Sequence, residues 1–158
     1  MKTIILGIGN PILGDDGIGV HIARELQDKY SNLSNVTIDE AQTGGMNLID
    51  LIRGYDRAIL IDAISIPNVS QGCVKRFDVK EMESVHSFNP HDVTLLEALD
   101  LSEKIGDRTI PKDIIIIGIN LKVMPLEFSD SLSSEIREVM PKVIEMVLSE
   151  LNNMFMNN

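Results

Sequence analysis

The sequence is poor in cysteine, in positive charge and in long hydrophobic runs. Its 158 residues include a single cysteine, Cys73. One cysteine cannot close an intramolecular disulfide, and it cannot supply the several thiolates of a cysteine zinc site or an iron–sulfur cluster. Fourteen Lys and Arg residues stand against 24 Asp and Glu residues, which gives a net charge of −10. Because that charge repels nucleic-acid phosphates and anionic membrane surfaces, neither is predicted as a partner.

The sequence contains no stretch near the roughly 20 apolar residues of a membrane-spanning helix. Its first residues form a short apolar run that ends at Gly, Asn and Pro, without the basic start and cleavage site of a secretory signal. With 44% hydrophobic residues the chain has enough apolar surface for a core, and its length suits one domain. We therefore expect one domain over residues 1–158 in a soluble, cytoplasmic protein.

Buried strands and amphipathic helices alternate along the chain. Continuous apolar runs, typical of strands buried on both faces, occur at 3–8, 58–61 and 114–119, and weaker strand signals at 36–39 and 73–79. The order β-α-β-α-β-β-α-β-α predicts an α/β three-layer sandwich: a mostly parallel, twisted five-stranded sheet with one antiparallel strand and helices on both faces. Only a short loop precedes the strand at 73–79, which excludes a helical crossover and predicts an antiparallel edge strand.

Acidic and imidazole side chains follow three of the predicted elements. The first strand leads to Asp15 and Asp16, the third strand ends at Asp62, and the segment before the third long helix contains His91. Ligands of such sheets bind beyond the carboxyl ends of the parallel strands, so we expect these side chains to converge at one edge. Two carboxylates and one imidazole would make a borderline-hard metal site with open positions.

The same residues also have structural interpretations. Asp15 and Asp16 are suited to cap the helix that follows them, and a histidine at a helix start is as common on a surface as in a metal site. Asp62 differs, because a carboxylate in a buried strand is costly unless it has a partner, and that cost favours a functional role. His86 competes with His91 for the histidine position.

The glycine-rich start indicates a tight turn but does not match the dinucleotide fingerprint. Ile12 stands where G-x-G-x-x-G requires its third glycine, Asn10-Pro11 interrupts the turn, and the two acids that follow would repel a pyrophosphate. The sequence also lacks the G-x-S-x-G, H-E-x-x-H and P-loop patterns. His21 is predicted to lie on the solvated face of the first helix, and Cys73 to be a small apolar filler.

Taken together, these motifs resemble a known family. Gly7-Ile8-Gly9-Asn10-Pro11, followed by Gly14-Asp15-Asp16-Gly17-Ile18-Gly19, is similar to the opening signature of the NiFe-hydrogenase maturation endopeptidases. The similarity continues over about residues 3–150, at Thr43-Gly44-Gly45-Met46, Ile61-Asp62-Ala63, Pro90-His91-Asp92, Gly118-Ile119 and Leu132-Ser133. After the second strand the family usually has Asp-Gly-Gly-Thr. Glu40-Ala41-Gln42-Thr43 replaces it in this chain, which makes extreme backbone torsions there less favourable.

The resemblance implies a function and a site. Proteases of this family remove a C-terminal extension from the hydrogenase large-subunit precursor, with nickel already inserted in that precursor as the recognition element. The family's catalytic and metal-binding positions fall on Asp16, Asp62 and His91, and the Pro-His context selects His91 over His86. The resemblance implies substrate-borne nickel, weakly held by the protease, and the precursor as partner. An alternative is a non-catalytic checkpoint protein that binds the immature large subunit without cutting it.

Overall fold

A computed structural model describes residues 1–42, 45–84 and 90–155, excepting the side chains of 83–84, 90–93 and 153–155. Within these ranges the elements follow the predicted order. The strands are β1 (Thr3–Ile8), β2 (Val36–Ala41), β3 (Arg57–Ile64), β4 (Val74–Asp78) and β5 (Asp113–Asn120). The helices are α1 (Ile18–Tyr30), α2 (Met46–Ile52), α3 (Pro90–Lys104) and α4 (Ser134–Phe155), with 3₁₀ turns at Gly14–Gly17 and Val79–Ser84.

The five strands form one sheet in the order β2-β1-β3-β5-β4. The first four of these are mutually parallel, and β4 pairs antiparallel with β5 at the edge. The predicted mostly parallel sheet with one antiparallel edge strand is therefore confirmed. Because β1, β3 and β5 lie side by side, their carboxyl ends meet at one edge, which we call the carboxyl edge.

Helices cover both faces of the sheet, as predicted. One apolar core joins α1 and α4 to residues such as Ile59 and Ile61, and the other joins α2 and α3 to residues such as Ala58 and Leu60. Because alternate residues of a strand face opposite sides, a strand buried by both layers needs apolar side chains at nearly every position. This requirement explains the continuous apolar runs of the sequence.

Two strand ends were predicted too early. β2 continues to Ala41 rather than ending near residue 39, and β3 continues to Ile64, so that Asp62 lies inside the strand. For β3 the reason is its pairing with β5, in which Asp62 lies opposite Gly118 and Ile64 opposite Asn120. Backbone pairing continues past a polar side chain, whereas the apolar pattern stops there.

In the described part of the chain, no helix has the length and apolarity required to cross a membrane.

Candidate active site

Asp16 is held in a tightly folded loop directly after β1. Its side chain is only 4% exposed, and Oδ2 accepts a hydrogen bond of 2.9 Å from the backbone N–H of Asn10. Gly9 has a φ of 144°, and a β-carbon there would lie 2.1 Å from the carbonyl oxygen of Asp16. The loop can therefore fold back onto the acid only with glycine at this position. The glycines of the opening signature thus fix the placement of a buried carboxylate.

Asp62 is buried within the central strand β3, where its side chain is 2% exposed. Strand alternation places it on the same face as Leu60 and Ile64, which belong to the core beneath α2 and α3. A carboxylate at such a position carries a desolvation cost that an apolar residue would not. The strong apolar run around it gives no packing reason for an acid.

The fold brings the two acids to the same edge of the sheet. The 3₁₀ turn that contains Asp16 contacts β3, which contains Asp62. Helix α1 begins directly after this turn, and a β-carbon at Gly19 would lie 2.2 Å from the carbonyl oxygen of Ile61 and 2.4 Å from that of Ile8. The missing side chain at Gly19 therefore lets α1 approach the ends of β1 and β3 closely. The predicted convergence of these two segments at the carboxyl edge is confirmed.

The histidine position is described only in part. His91 is the second residue of α3, and its side chain falls outside the described residues, as does the whole of His86. One turn further along α3, Thr94 lies 3.6 Å from where a β-carbon on Gly45 would stand. Gly45 follows the carboxyl end of β2, so the first turn of α3 reaches the segment beyond the carboxyl edge. The assignment of His91 as the third site residue stays a prediction.

A metal site complete in protein ligands is absent from the described residues. No three His, Cys, Asp or Glu side chains among them are grouped so as to hold a metal ion. Asp16 and Asp62 supply carboxylate oxygens, which suit hard and borderline divalent cations. If both acids contacted one metal ion, most of its coordination positions would be left for a substrate.

The helix-cap interpretation of Asp15 and Asp16 is wrong. Gly17 occupies the N-cap position of α1, and no side chain caps that helix. Asp15 instead accepts two hydrogen bonds from Ser133 at the start of α4, of 2.7 Å from the backbone N–H and 2.8 Å from the hydroxyl. Asp15 therefore ties the signature loop to the last helix, and neither acid caps α1.

The departure from the family pattern after β2 has a structural explanation. Ala41 is the last residue of β2 and is buried, so alanine serves there as an ordinary strand residue. Glu40 accepts hydrogen bonds of 2.7 and 2.9 Å from the Arg24 guanidinium, which lowers the pKa of the Glu40 carboxyl. In this chain Ala41 ends β2, and Glu40 connects the strand to α1 by an ion pair.

His21 is less exposed than predicted. It is half-buried on α1, and its Nε2 atom is inaccessible to solvent without a hydrogen-bond partner. Burial, followed by the positive charges of Arg24 and Arg137, lowers the pKa of its imidazole, while Asp130 and Glu40 oppose that shift. The prediction of a solvated position for His21 is therefore wrong.

One residue near the carboxyl edge was missed by the sequence analysis. Asn120 is fully buried at the end of β5, where its side chain accepts a hydrogen bond from the Ile66 N–H (2.7 Å) and donates to the carbonyls of Val69 and Ser70. It thereby fixes the loop that follows β3. A polar residue that ends the most apolar run of the sequence is the signal that would have found it.

The fold and this acidic edge define a class: a three-layer α/β protein with two buried carboxyl groups at the carboxyl ends of its parallel strands. A family model described as hydrogenase maturation protease matches residues 20–150. The chain belongs to this hydrogenase maturation protease family, whose enzyme class is that of an endopeptidase.

Two curated relatives agree with this assignment. The chain is 32% identical over 156 residues to the hydrogenase expression/formation protein HupD of Thiocapsa roseopersicina, covering 95% of this chain and 67% of the relative. It is 31% identical over 157 residues to a putative hydrogenase maturation protease of Methanocaldococcus jannaschii, covering 94% and 95% respectively. These alignments are long enough to include the loop of Asp16.

The fold is shared with a solved member of the family. The hydrogenase maturating endopeptidase HybD of Escherichia coli superimposes with a TM-score of 0.84, at 25% identity, over 98% of this chain and 94% of the solved chain. The strand order and the two helix layers are thus those of a maturation endopeptidase.

Proposed function

We propose that this protein cleaves the C-terminal extension from a nickel-loaded hydrogenase large-subunit precursor, and that the nickel in the substrate is its recognition element. The observation that carries the proposal is the burial of two carboxylates, Asp16 and Asp62, on contacting segments at the carboxyl edge. Burying two carboxyl groups on contacting segments is costly for folding, and that cost is understandable when a cation arrives with the substrate.

The donor set fits a transient encounter with nickel. Carboxylate oxygens bind nickel, but without the strength of thiolates, and the chain has one cysteine only. A protease that bound nickel tightly would compete with the thiolates that hold it in the precursor. Asp16, Asp62 and His91 would therefore approach the nickel without removing it, and the purified protein is expected to contain little metal.

Hydrolysis of the scissile amide requires a water molecule and a group that takes its proton. In one route an Asp carboxylate acts as general base while water attacks the carbonyl carbon. In the other route the substrate's nickel polarises the carbonyl or the water, and the carboxylates orient it. Both routes end with a new carboxylate on the mature large subunit and a released peptide with a new amino terminus.

The test is mass spectrometry of candidate large-subunit precursors after incubation with the protein, with and without nickel. The proposal predicts a nickel-dependent loss of one C-terminal peptide by the wild type and no loss with Asp62→Asn. Cleavage that is equally fast without nickel would overturn the role of the metal. A stable complex with unchanged precursor mass would instead favour the non-catalytic checkpoint protein.

A further inference from the structure

Three large apolar side chains project into solvent from the loops beside Asp16. Ile12 is 54% exposed, Phe128 is 84% exposed and Leu126 is 91% exposed. Single exposed apolar residues are ordinary on a protein surface, whereas a cluster of them marks many binding sites. We call these three residues the apolar rim.

Backbone pairing brings two members of the rim side by side. The N–H of Ser129 donates to the carbonyl of Ile12 (2.9 Å), and the N–H of Gly14 donates to the carbonyl of Ser129 (2.8 Å). These bonds form a parallel bridge between Leu13 and Ser129. Because opposite residues of a parallel pair share a face, the register places Ile12 next to Phe128.

The rim is continuous with the loop that holds the catalytic candidate Asp16. Pro125 packs close to Gly14, since a β-carbon on that glycine would lie 3.7 Å from the Pro125 Cβ. Leu126 follows Pro125 directly, and Gly14 begins the 3₁₀ turn that contains Asp16. A polypeptide lying across the rim therefore passes beside the acid.

The backbone beneath the rim is fixed before any partner binds. The two hydrogen bonds between Asp15 and Ser133 attach the far end of the 125–133 segment to the same loop. A surface that is already ordered loses little conformational entropy on association. Apolar side chains held in this way are suited to act as anchors.

The exposed area and the charge of the rim indicate which kind of partner binds to it. A fully exposed side chain of this size has an area of roughly 200 Å², so the three rim residues together expose about 450 Å². A stable dimer buries roughly 800 Å² on each partner, and the rim is too small for that. The net charge of −10 also opposes a second copy of the chain. Glu127 and Asp130 are exposed beside the rim, so the complementary partner is apolar with basic residues nearby.

We propose that the apolar rim docks an apolar segment, flanked by basic residues, of the large-subunit precursor next to its cleavage point. This inference rests on the proposed function. A rim of this size would hold the precursor long enough for one cleavage and would release the product afterwards, as a processing enzyme requires.

The test compares the double variant Leu126→Ser/Phe128→Ser with Ile105→Ser. Ile105 is 66% exposed just past the end of α3 and lies outside the rim, which makes it a matched control. Binding to immobilised nickel-loaded precursor is measured by biolayer interferometry, and processing by mass spectrometry. We expect the double variant to lose about 10- to 100-fold in affinity, with a raised KM and unchanged kcat at saturating precursor, while the control stays within about twofold.

The outcomes separate the rim from the protease activity. If the double variant binds and processes as the wild type does, the rim proposal is overturned and the proposed function stands. If the wild type binds through the rim but never cleaves, the proteolytic function fails and the docking proposal stands. A wild-type dimer in solution that the double variant abolishes, with precursor binding unchanged, would assign the rim to a second copy and overturn the proposal.

Discussion

Buried charges occur at both edges of the sheet, and they differ in their surroundings. The edge formed by the amino ends of β3 and β5, which we call the amino edge, contains Arg57, which is only 5% exposed. Arg57 lies between Asp113 (Nε to Oδ2, 2.6 Å) and Glu150 (Nη2 to Oε2, 2.7 Å). Arg76 contacts the second oxygen of Glu150 at 2.5 Å. At the carboxyl edge, the carboxyl groups of Asp16 and Asp62 are both buried.

The difference teaches which edge serves the fold and which serves the chemistry. Opposite charges that satisfy one another attach α4 to the sheet, so the amino edge stabilises the structure. Two buried carboxylates on contacting segments cannot stabilise each other, and such arrangements cluster at functional sites. Substitutions at the two edges should therefore change different measured quantities.

The largest effect is expected from Asp16→Asn and from Asp62→Asn. Each change removes a negative charge but keeps the shape of the side chain, so precursor processing should fall by about 10²- to 10⁴-fold. The melting temperature should change by only a few degrees, because asparagine keeps the size of the side chain and an oxygen that can accept a hydrogen bond. Mass spectrometry of the precursor and thermal unfolding give the two readouts. Full processing by Asp62→Asn would remove that residue from the site.

The two histidines near α3 allow the site assignment to be sharpened. We expect His91→Ala to lose processing to a similar extent as the Asp variants, because the proposed function assigns the His91 imidazole to the nickel-recognition site. His86→Ala is the matched control and should process the precursor at a rate close to that of the wild type. Rates are measured by mass spectrometry on the same nickel-loaded precursor. Loss of activity in the His86 variant with an active His91 variant would reverse the assignment.

Local patterns predicted the fold well, and contacts distant in sequence explain what they missed. The bounds of β1 were predicted as observed, because an apolar run buried on both faces ends where the glycines begin. The end of β3 was misplaced, because Asp62 interrupts the apolar pattern while backbone pairing with β5 continues. A prediction from apolar periodicity ends a strand at the first polar residue, even where the backbone pairing continues beyond it.

The same distinction holds for the site. Topology alone placed Asp16 and Asp62 at one edge, since each follows or ends a parallel strand. The attachment of Asp15 to Ser133 joins positions 118 residues apart, and the contact of Arg57 with Glu150 joins positions 93 residues apart. No local spacing encodes such pairs, so the capping role predicted for Asp15 was wrong and the Arg57 network was not foreseen.

At the amino edge, Arg57→Met should affect stability rather than catalysis. It removes the cation between Asp113, which is half exposed, and Glu150, which keeps Arg76, so the free energy of unfolding should fall by about 2 kcal/mol. Lys104→Met is the matched control, because the Lys104–Asp100 pair is exposed and should contribute little to stability. Urea titration measures both. The folded Arg57 variant should process the precursor at the wild-type rate, and a specific loss of kcat would contradict the division between the two edges.

The smallest effect concerns His21, whose pKa is lowered by burial and by Arg24 and Arg137. The unfolded chain binds a proton at the ordinary pKa of about 6.5, whereas the folded chain resists it. Stability should therefore fall as the pH drops through this range, and His21→Gln should remove that part of the loss. Melting temperatures at pH 7.5 and 5.5 measure it, because carboxylates stay ionised in that window. Since His21 is partly exposed, the wild type should lose about 2 °C or less relative to the variant. An equal pH dependence in both proteins would show that folding leaves the pKa of His21 unchanged, which would contradict the prediction.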